Sequence, residues 1–206
     1  MRMIEPGYEI VVLNPEQDIL CIERAARLCY QSEEKIKNGS AEQIIKFLID
    51  HGHEAMLEHS RLSVIFTVDR GVTHELVRHR VASFAQESTR YCNYSKDKFG
   101  NEITVIRPCY LDDSSTGAFN SWSRAMVECE NRYFDMLNQG CTPQEARAVL
   151  PNSLKANIMV TANWREWRQI FKLRTAPDAH PQIREVMVKL LEEVKSKVPV
   201  VFDDIP

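Results

Sequence analysis

Arg61-Leu62-Ser63-Val64-Ile65-Phe66-Thr67-Val68-Asp69 is the stretch on which the fold turns. Leu62, Val64, Phe66 and Val68 occupy every second place, the period that puts apolar side chains on one face of a pleated strand. The period changes just downstream, and Val72 to Arg80 reads as helix. Tyr8–Leu13, upstream, is a short apolar strand. Pro15 then opens a helix to about Tyr30, with Ile19, Ile22 and Ala26 at helical spacing. Ser40-Ala41-Glu42-Gln43 reads as the capping box of a second helix through Ile49, which Gly52 is placed to end. Beyond Asp69, Ile103–Ile106 reads as another strand. Phe119, Trp122, Met126, Cys129, Tyr133 and Leu137 mark one long helix with a broad apolar seam, best read as core packing. Thr142-Pro143-Gln144-Glu145 combines a capping box with proline at the first helical position. Asn163–Arg174 and Pro181–Lys197 are the last two helices. Helices outnumber strands and do not alternate strictly with them, which favours α+β over a doubly wound sheet. The expected fold is a central, mostly antiparallel sheet with a long-helix layer, in a single domain over residues 1–206.

Composition bounds the function. Hydrophobic residues make up 44% of the 206 and charged residues 27%, enough to bury a real core. Twenty-six basic against 29 acidic residues leave a net charge of −3, which argues against general attraction to nucleic acid. The N-terminus lacks the apolar stretch of a signal peptide, and the longest apolar runs are too short to span a bilayer. Six scattered cysteines form neither a C-x-x-C pair nor a zinc spacing, as expected of reduced thiols in the cytoplasm. Any anion site must be a local cluster of arginines.

Residues 78 to 90 supply one: Arg78-His79-Arg80-Val81-Ala82-Ser83-Phe84-Ala85-Gln86-Glu87-Ser88-Thr89-Arg90. Arginine offers a planar fork of donors for phosphate, and Ser88 and Thr89 add hydroxyls. On charge alone, cations gathered at a helix C-terminus explain the run slightly better. The spacing reverses that balance. Arg-His-Arg, seven residues, then Ser, continued by Thr89-Arg90-Tyr91, resembles the signature of flavin-dependent thymidylate synthases. His51-Gly52-His53-Glu54 with Glu58-His59 looks like that family's upstream motif. Glu145-Ala146-Arg147 through Leu150-Pro151 is similar to its mid-chain arginine motif. Asn163, Arg165 and Leu173-Arg174, with His180 beyond, resemble its C-terminal motif.

The resemblance implies reductive methylation of dUMP to dTMP, with FAD as cofactor, NADPH and methylenetetrahydrofolate as co-substrates, and a homotetramer with shared sites. It places Glu75, Arg78, Gln86, Glu87, Ser88, Thr89, Arg90, Arg147 and Arg174 at dUMP. His53, Ala55, Arg78, His79, Arg80, Gln86, Asn163, Arg165 and Gln169 fall at FAD. Arg174 would face the uracil ring and stabilise charge as N3 ionises, which makes it the catalytic candidate. The sequence departs from the family pattern in four places. Glu75 stands where many members carry glutamine, and a bare carboxylate repels phosphate unless an arginine pairs with it. Gln86 replaces a common glutamate, with the acid displaced to Glu87. Ala55 lacks a hydroxyl often present there, and Gln169 is longer than the usual side chain.

Other readings carry less. Ser88 has Gln86, Glu87 and arginines as its nearest sequence neighbours and meets His79 only if the loop folds back, so it reads as a binding residue rather than a nucleophile. The cluster His51, His53, Glu54, Glu58 and His59 has metal-ligand chemistry but not H-E-x-x-H spacing, and no metal is expected. Pro108-Cys109 evokes the thymidylate synthase that uses a cysteine nucleophile, with Arg107 adjacent, yet a lone cysteine is more often an inert buried thiol. A nucleic-acid-binding module built on the 78–90 arginines, with Tyr91, Tyr94 and Trp122 for stacking, conflicts with the negative charge. Neither a nucleic-acid nor a membrane partner is expected.

Overall fold

The alternating stretch forms a strand over Leu62–Asp69 in the computed structural model, which describes residues 1–111 and 117–206. In chain order the strands are β1 (Arg2–Ile4), β2 (Gly7–Leu13), β3 (Leu62–Asp69), β4 (Ser83–Gln86), β5 (Thr104–Ile106) and β6 (Lys155–Ala162). The helices are α1 (Pro15–Leu28), α2 (Ser40–Asp50), α3 (Arg70–Leu76), α4 (Gly117–Asn138), α5 (Pro143–Ala146), α6 (Trp164–Arg174), α7 (Pro181–Lys197) and α8 (Pro199–Phe202). Four strands form a sheet in the order β2-β3-β6-β4. Ser63 Oγ lies 2.9 Å from Thr161 Oγ1, and Thr67 Oγ1 donates to Asn157 Oδ1 at 3.0 Å. As one strand's numbers rise the other's fall, so β3 and β6 are antiparallel. A second sheet, of β1 and β5, is parallel, with Arg2 opposite Thr104 and Ile4 opposite Ile106. No helix among the described residues is long and apolar enough to cross a membrane.

The chain divides into two compact units, and both β3 and β6 contribute residues to each. Unit 1 holds residues 1–7, 66–78 and 85–158. Its core gathers Tyr94, Ile103, Val105, Met126, Tyr133 and Leu154, with Trp122 and Leu137 packed against them. The apolar seam of α4 is therefore spent inside its own unit. Unit 2 holds residues 8–65, 79–84 and 159–206. Trp164, Trp167 and Phe171 of α6 are fully buried there, as is Phe202 of α8, which meets the first and third ring edge to face.

Several element ends differ from expectation for local reasons. α3 starts at Arg70 because Asp69 caps it, its carboxylate accepting from the Val72 N–H at 2.7 Å. It stops at Leu76, so Arg78-His79-Arg80 lie beyond the helix on a turn. Ser40 does not cap α2. Gly39 holds that place at φ +76°, where a Cβ is disfavoured, and the Ser40 hydroxyl instead lies 2.7 Å from the buried Glu23 carboxylate. Gly52 ends α2 as expected, at φ +70°. The Thr142/Glu145 cap forms, with the Glu145 carboxylate accepting from the Thr142 N–H at 2.7 Å. Strands β1, β4 and β6 come from segments in which no strand is expected. β6 is legible afterwards, since Ala156, Ile158, Val160 and Ala162 alternate and all are buried.

Candidate functional site

The signature divides between the units. Unit 1 carries Glu75, Arg78, Gln86, Glu87, Ser88, Thr89, Arg90 and Arg147, while unit 2 carries His53, Ala55, His79, Arg80, Asn163, Arg165, Gln169 and Arg174. The residues that the resemblance places at dUMP, Arg174 apart, fall in the first unit. Those it places at FAD, apart from Arg78 and Gln86, fall in the second.

In unit 1, β4 delivers the chain into a loop that wraps on itself. Gln86 Nε2 donates to Thr73 Oγ1 of α3 at 3.0 Å, which ties the end of β4 to the helix carrying Glu75. Glu87 is committed to structure: its carboxylate accepts from Lys155 Nζ at 2.7 Å, from the Tyr94 hydroxyl at 3.3 Å and from the Asn157 N–H at 3.3 Å. Burial first, and then this carboxylate's charge, push the Tyr94 phenol up. Ser88 Oγ accepts from the Arg90 N–H at 3.3 Å, while the Ser88 carbonyl accepts from the Tyr91 and Cys92 N–H groups. That turn fixes the loop. Thr89 is buried beneath it, and Arg90 is exposed with its guanidinium 5.4 Å from the Tyr91 ring centre. Arg147 follows the capped helix α5 and is exposed, as is Arg78. Exposed guanidiniums of this kind are free to meet an anion, with Arg90 the one that the Ser88 turn itself holds.

In unit 2, Asn163 caps α6, its side-chain oxygen accepting from the Glu166 N–H at 2.9 Å. A cleft of about 360 Å³ opens beside that first turn, lined by Asn163, Arg165, Gln169, Glu58 and Val81 among others. Arg165 Nη1 pairs with Glu58 at 2.5 Å across it. Val81 is an exposed isopropyl at its edge. Glu54 also lines the cleft, which brings the flanking His53 and Ala55 to its neighbourhood; both are exposed. Arg80 is exposed too.

His79 is the exception in Arg-His-Arg: only 6% exposed, with both ring nitrogens facing charged groups of α6. Arg174 Nε donates to His79 Nε2 at 3.1 Å, and His79 Nδ1 lies 3.5 Å from a Glu166 carboxylate oxygen. Burial first, and then the Arg174 charge, hold the imidazole down to about 4, so it is neutral near pH 7. Burial pushes the Glu166 carboxyl up. The sequence reading misses Glu166, although its place three residues after a capping asparagine was a usable signal. It also misses Arg168, 1% exposed between Glu54 and Asp204.

His51 is turned to its own helix, Nδ1 lying 2.8 Å from the Phe47 carbonyl. Among the described residues no three His, Cys, Asp or Glu side chains converge to hold a metal ion. Cys109 is exposed.

A family model described as "Thymidylate synthase complementing protein" matches residues 11–200. The flavin-dependent thymidylate synthase of Pyrococcus furiosus is 34% identical over 81% of this chain and 68% of its own. That of Corynebacterium efficiens is 34% identical over 89% and 78%, and that of Mycobacterium tuberculosis is 32% identical over the same shares. Among solved structures, the UMP/dUMP methylase PolB from Streptomyces cacaoi, bound with 5-Br dUMP, superposes with a TM-score of 0.80. It covers 98% of this chain and 96% of its own at 23% identity, so the two share a fold.

Proposed function

The chain belongs to the flavin-dependent thymidylate synthase family, and we propose that it methylates dUMP to dTMP with methylenetetrahydrofolate as carbon donor and NADPH as reductant through FAD. The family match carries this reading, because it runs from residue 11 to 200 and takes in every motif of both units. On the same ground the chain acts as one catalytic domain, which we assign to the cytoplasm.

Donors for FAD stand in the cleft of unit 2 among three carboxylates, of which Glu58 is offset by Arg165 and Glu54 by Arg168. Arg80, Asn163, Arg165 and Gln169 offer cationic and amide donors for a pyrophosphate and a ring edge, and Val81 offers an apolar contact. The cleft holds only part of a dinucleotide, so His53, Ala55, Arg78 and Gln86 are assigned to the remainder. Bound FAD supplies the hydride chemistry. The protein supplies position and charge. Arg78, Ser88, Thr89, Arg90 and Arg147 hold the phosphate and sugar of dUMP. Gln86 acts through the loop it anchors. Glu87 shapes that loop through Lys155, and Glu75 stays beside the phosphate only with a neighbouring arginine to offset its charge. Arg174 presents its guanidinium to the uracil ring and stabilises the N3 anion.

The test is product formation by folded protein given dUMP, methylenetetrahydrofolate, NADPH and FAD, with each omitted in turn. dTMP is expected only in the complete mixture. No product from FAD-loaded protein sinks the proposal. A homotetramer is also proposed, on family resemblance alone because the α4 seam is consumed in its own core. Light scattering should return four times the chain mass, and an active monomer would exclude shared sites.

A further inference from the structure

We infer that Glu166 and His79 are positioning residues: Glu166 fixes the tautomer of His79, and His79 aims the Arg174 guanidinium at the substrate. The inference rests on the proposed reaction for what Arg174 does, but its geometry is local to unit 2. Arginine stays protonated in proteins, so its Nε–H can only donate. The partner at 3.1 Å, His79 Nε2, must therefore carry the lone pair, and the ring proton sits on Nδ1. Nδ1 faces the Glu166 carboxylate at 3.5 Å, longer than a formed hydrogen bond but with the acceptor on the side where that proton sits. Glu166 and Arg174 belong to one helix, the first in its opening turn and the second at its last residue. At about 1.5 Å per residue their backbones stand roughly 12 Å apart, yet both side chains reach back to one buried ring. The imidazole is neutral near pH 7 for the reasons of burial and charge given above.

The arrangement has a mechanical result. An arginine held at Nε has the plane of its guanidinium set, so the Nη edge meets a substrate in one orientation. A protonated or Nε2–H imidazole would set two donors against each other and turn that edge away. A glutamate near the start of a helix also favours the helix dipole, a role indifferent to the tautomer of His79.

The experiment uses FAD-loaded enzyme with 15N-labelled histidine. At pH 7.5 the His79 ring, assigned by its disappearance in His79→Gln, should show a protonated Nδ1 and a lone pair on Nε2. The opposite tautomer, or a doubly protonated ring, overturns the inference whether or not the protein makes dTMP. In kinetics, Glu166→Ala should lower kcat about 10- to 100-fold at saturating dUMP, the scale of a slight misplacement of a catalytic group. KM for dUMP should stay near wild type, and because Glu166 also lines the cleft the rate is read on protein brought to full FAD occupancy. Glu166→Gln retains an acceptor and should recover most of the loss, as should His79→Gln relative to His79→Ala. Unchanged kcat in Glu166→Ala, or a loss matched by lost FAD, overturns it. If Glu166→Ala does not fold, the wild-type tautomer and the Glu166→Gln rate decide.

Discussion

Arg168→Ala should lose about 3 kcal/mol of stability, the low end of the cost of stripping one partner from a buried ion pair. Arg168 is 1% exposed and every nitrogen of its guanidinium is engaged. Nε and Nη2 donate to Glu54 at 3.2 and 3.1 Å, Nη1 and Nη2 donate to Asp204 at 2.6 and 2.7 Å, and Nη1 also reaches the Val201 carbonyl. Removing the fork strands two carboxylates. Asp204 is 48% exposed and finds water readily, whereas Glu54 at 22% does so less well, which sets the estimate low. Hydrogen bonds from Arg168 hold the Asp204 carboxyl below its usual range. That contribution is complete above the ordinary carboxylate pKa and fades as pH falls through the depressed value. Arg168→Lys should recover little, because a point charge cannot serve three acceptors in a plane. The check is the urea midpoint at pH 7 and an unchanged slope. A loss under about 1 kcal/mol would mean the network is incidental.

Arg174→Ala should abolish most dTMP formation while leaving FAD bound. A charge-assisted hydrogen bond to a developing anion contributes about 1.5–3 kcal/mol, and more when its loss leaves charge unpaired. The expected drop in kcat is therefore at least about 10- to 100-fold at saturating dUMP. Arg174→Lys keeps the charge but loses both the planar fork and the Nε that His79 holds, so it too should be badly impaired. The competing role is closure of the last turn of α6, and basic residues do gather there. Near-normal turnover in Arg174→Ala would favour that role and remove the residue from catalysis.

The helices were legible because their signals are local. Pro15, Pro143 and Pro181 each open one, and the apolar spacing of α4 ran nearly its full length. Strands were harder. β6 alternates but begins with Lys155 and ends at an alanine, and β4 is only four residues inside a basic run. α3 begins before its apolar periodicity is visible because a single capping carboxylate, Asp69, sets its start. Spacing singled out the arginines as candidates, but not which groups of the run face inward. His79 lies between two exposed arginines and nothing in Arg-His-Arg distinguishes it. Its partners, Glu166 and Arg174, come from 87 and 95 residues further along the chain. Glu87 likewise reads as a loop acid until Lys155 is found 68 residues away.

The aromatic face of α6 has a consequence in the language of hydrogen exchange. Trp164, Trp167, Ile170 and Phe171 show no accessible surface, and the Trp167 indole donates to the Leu62 carbonyl at 2.9 Å. A helix anchored in this way does not fray on its own; its central amides exchange only when the unit unfolds. Arg174, at the last residue of α6, stands one turn beyond that protected centre and is tied to it by the Thr175 N–H, which donates to the Phe171 carbonyl at 2.9 Å. Whatever freedom the guanidinium keeps lies in its own side-chain torsions.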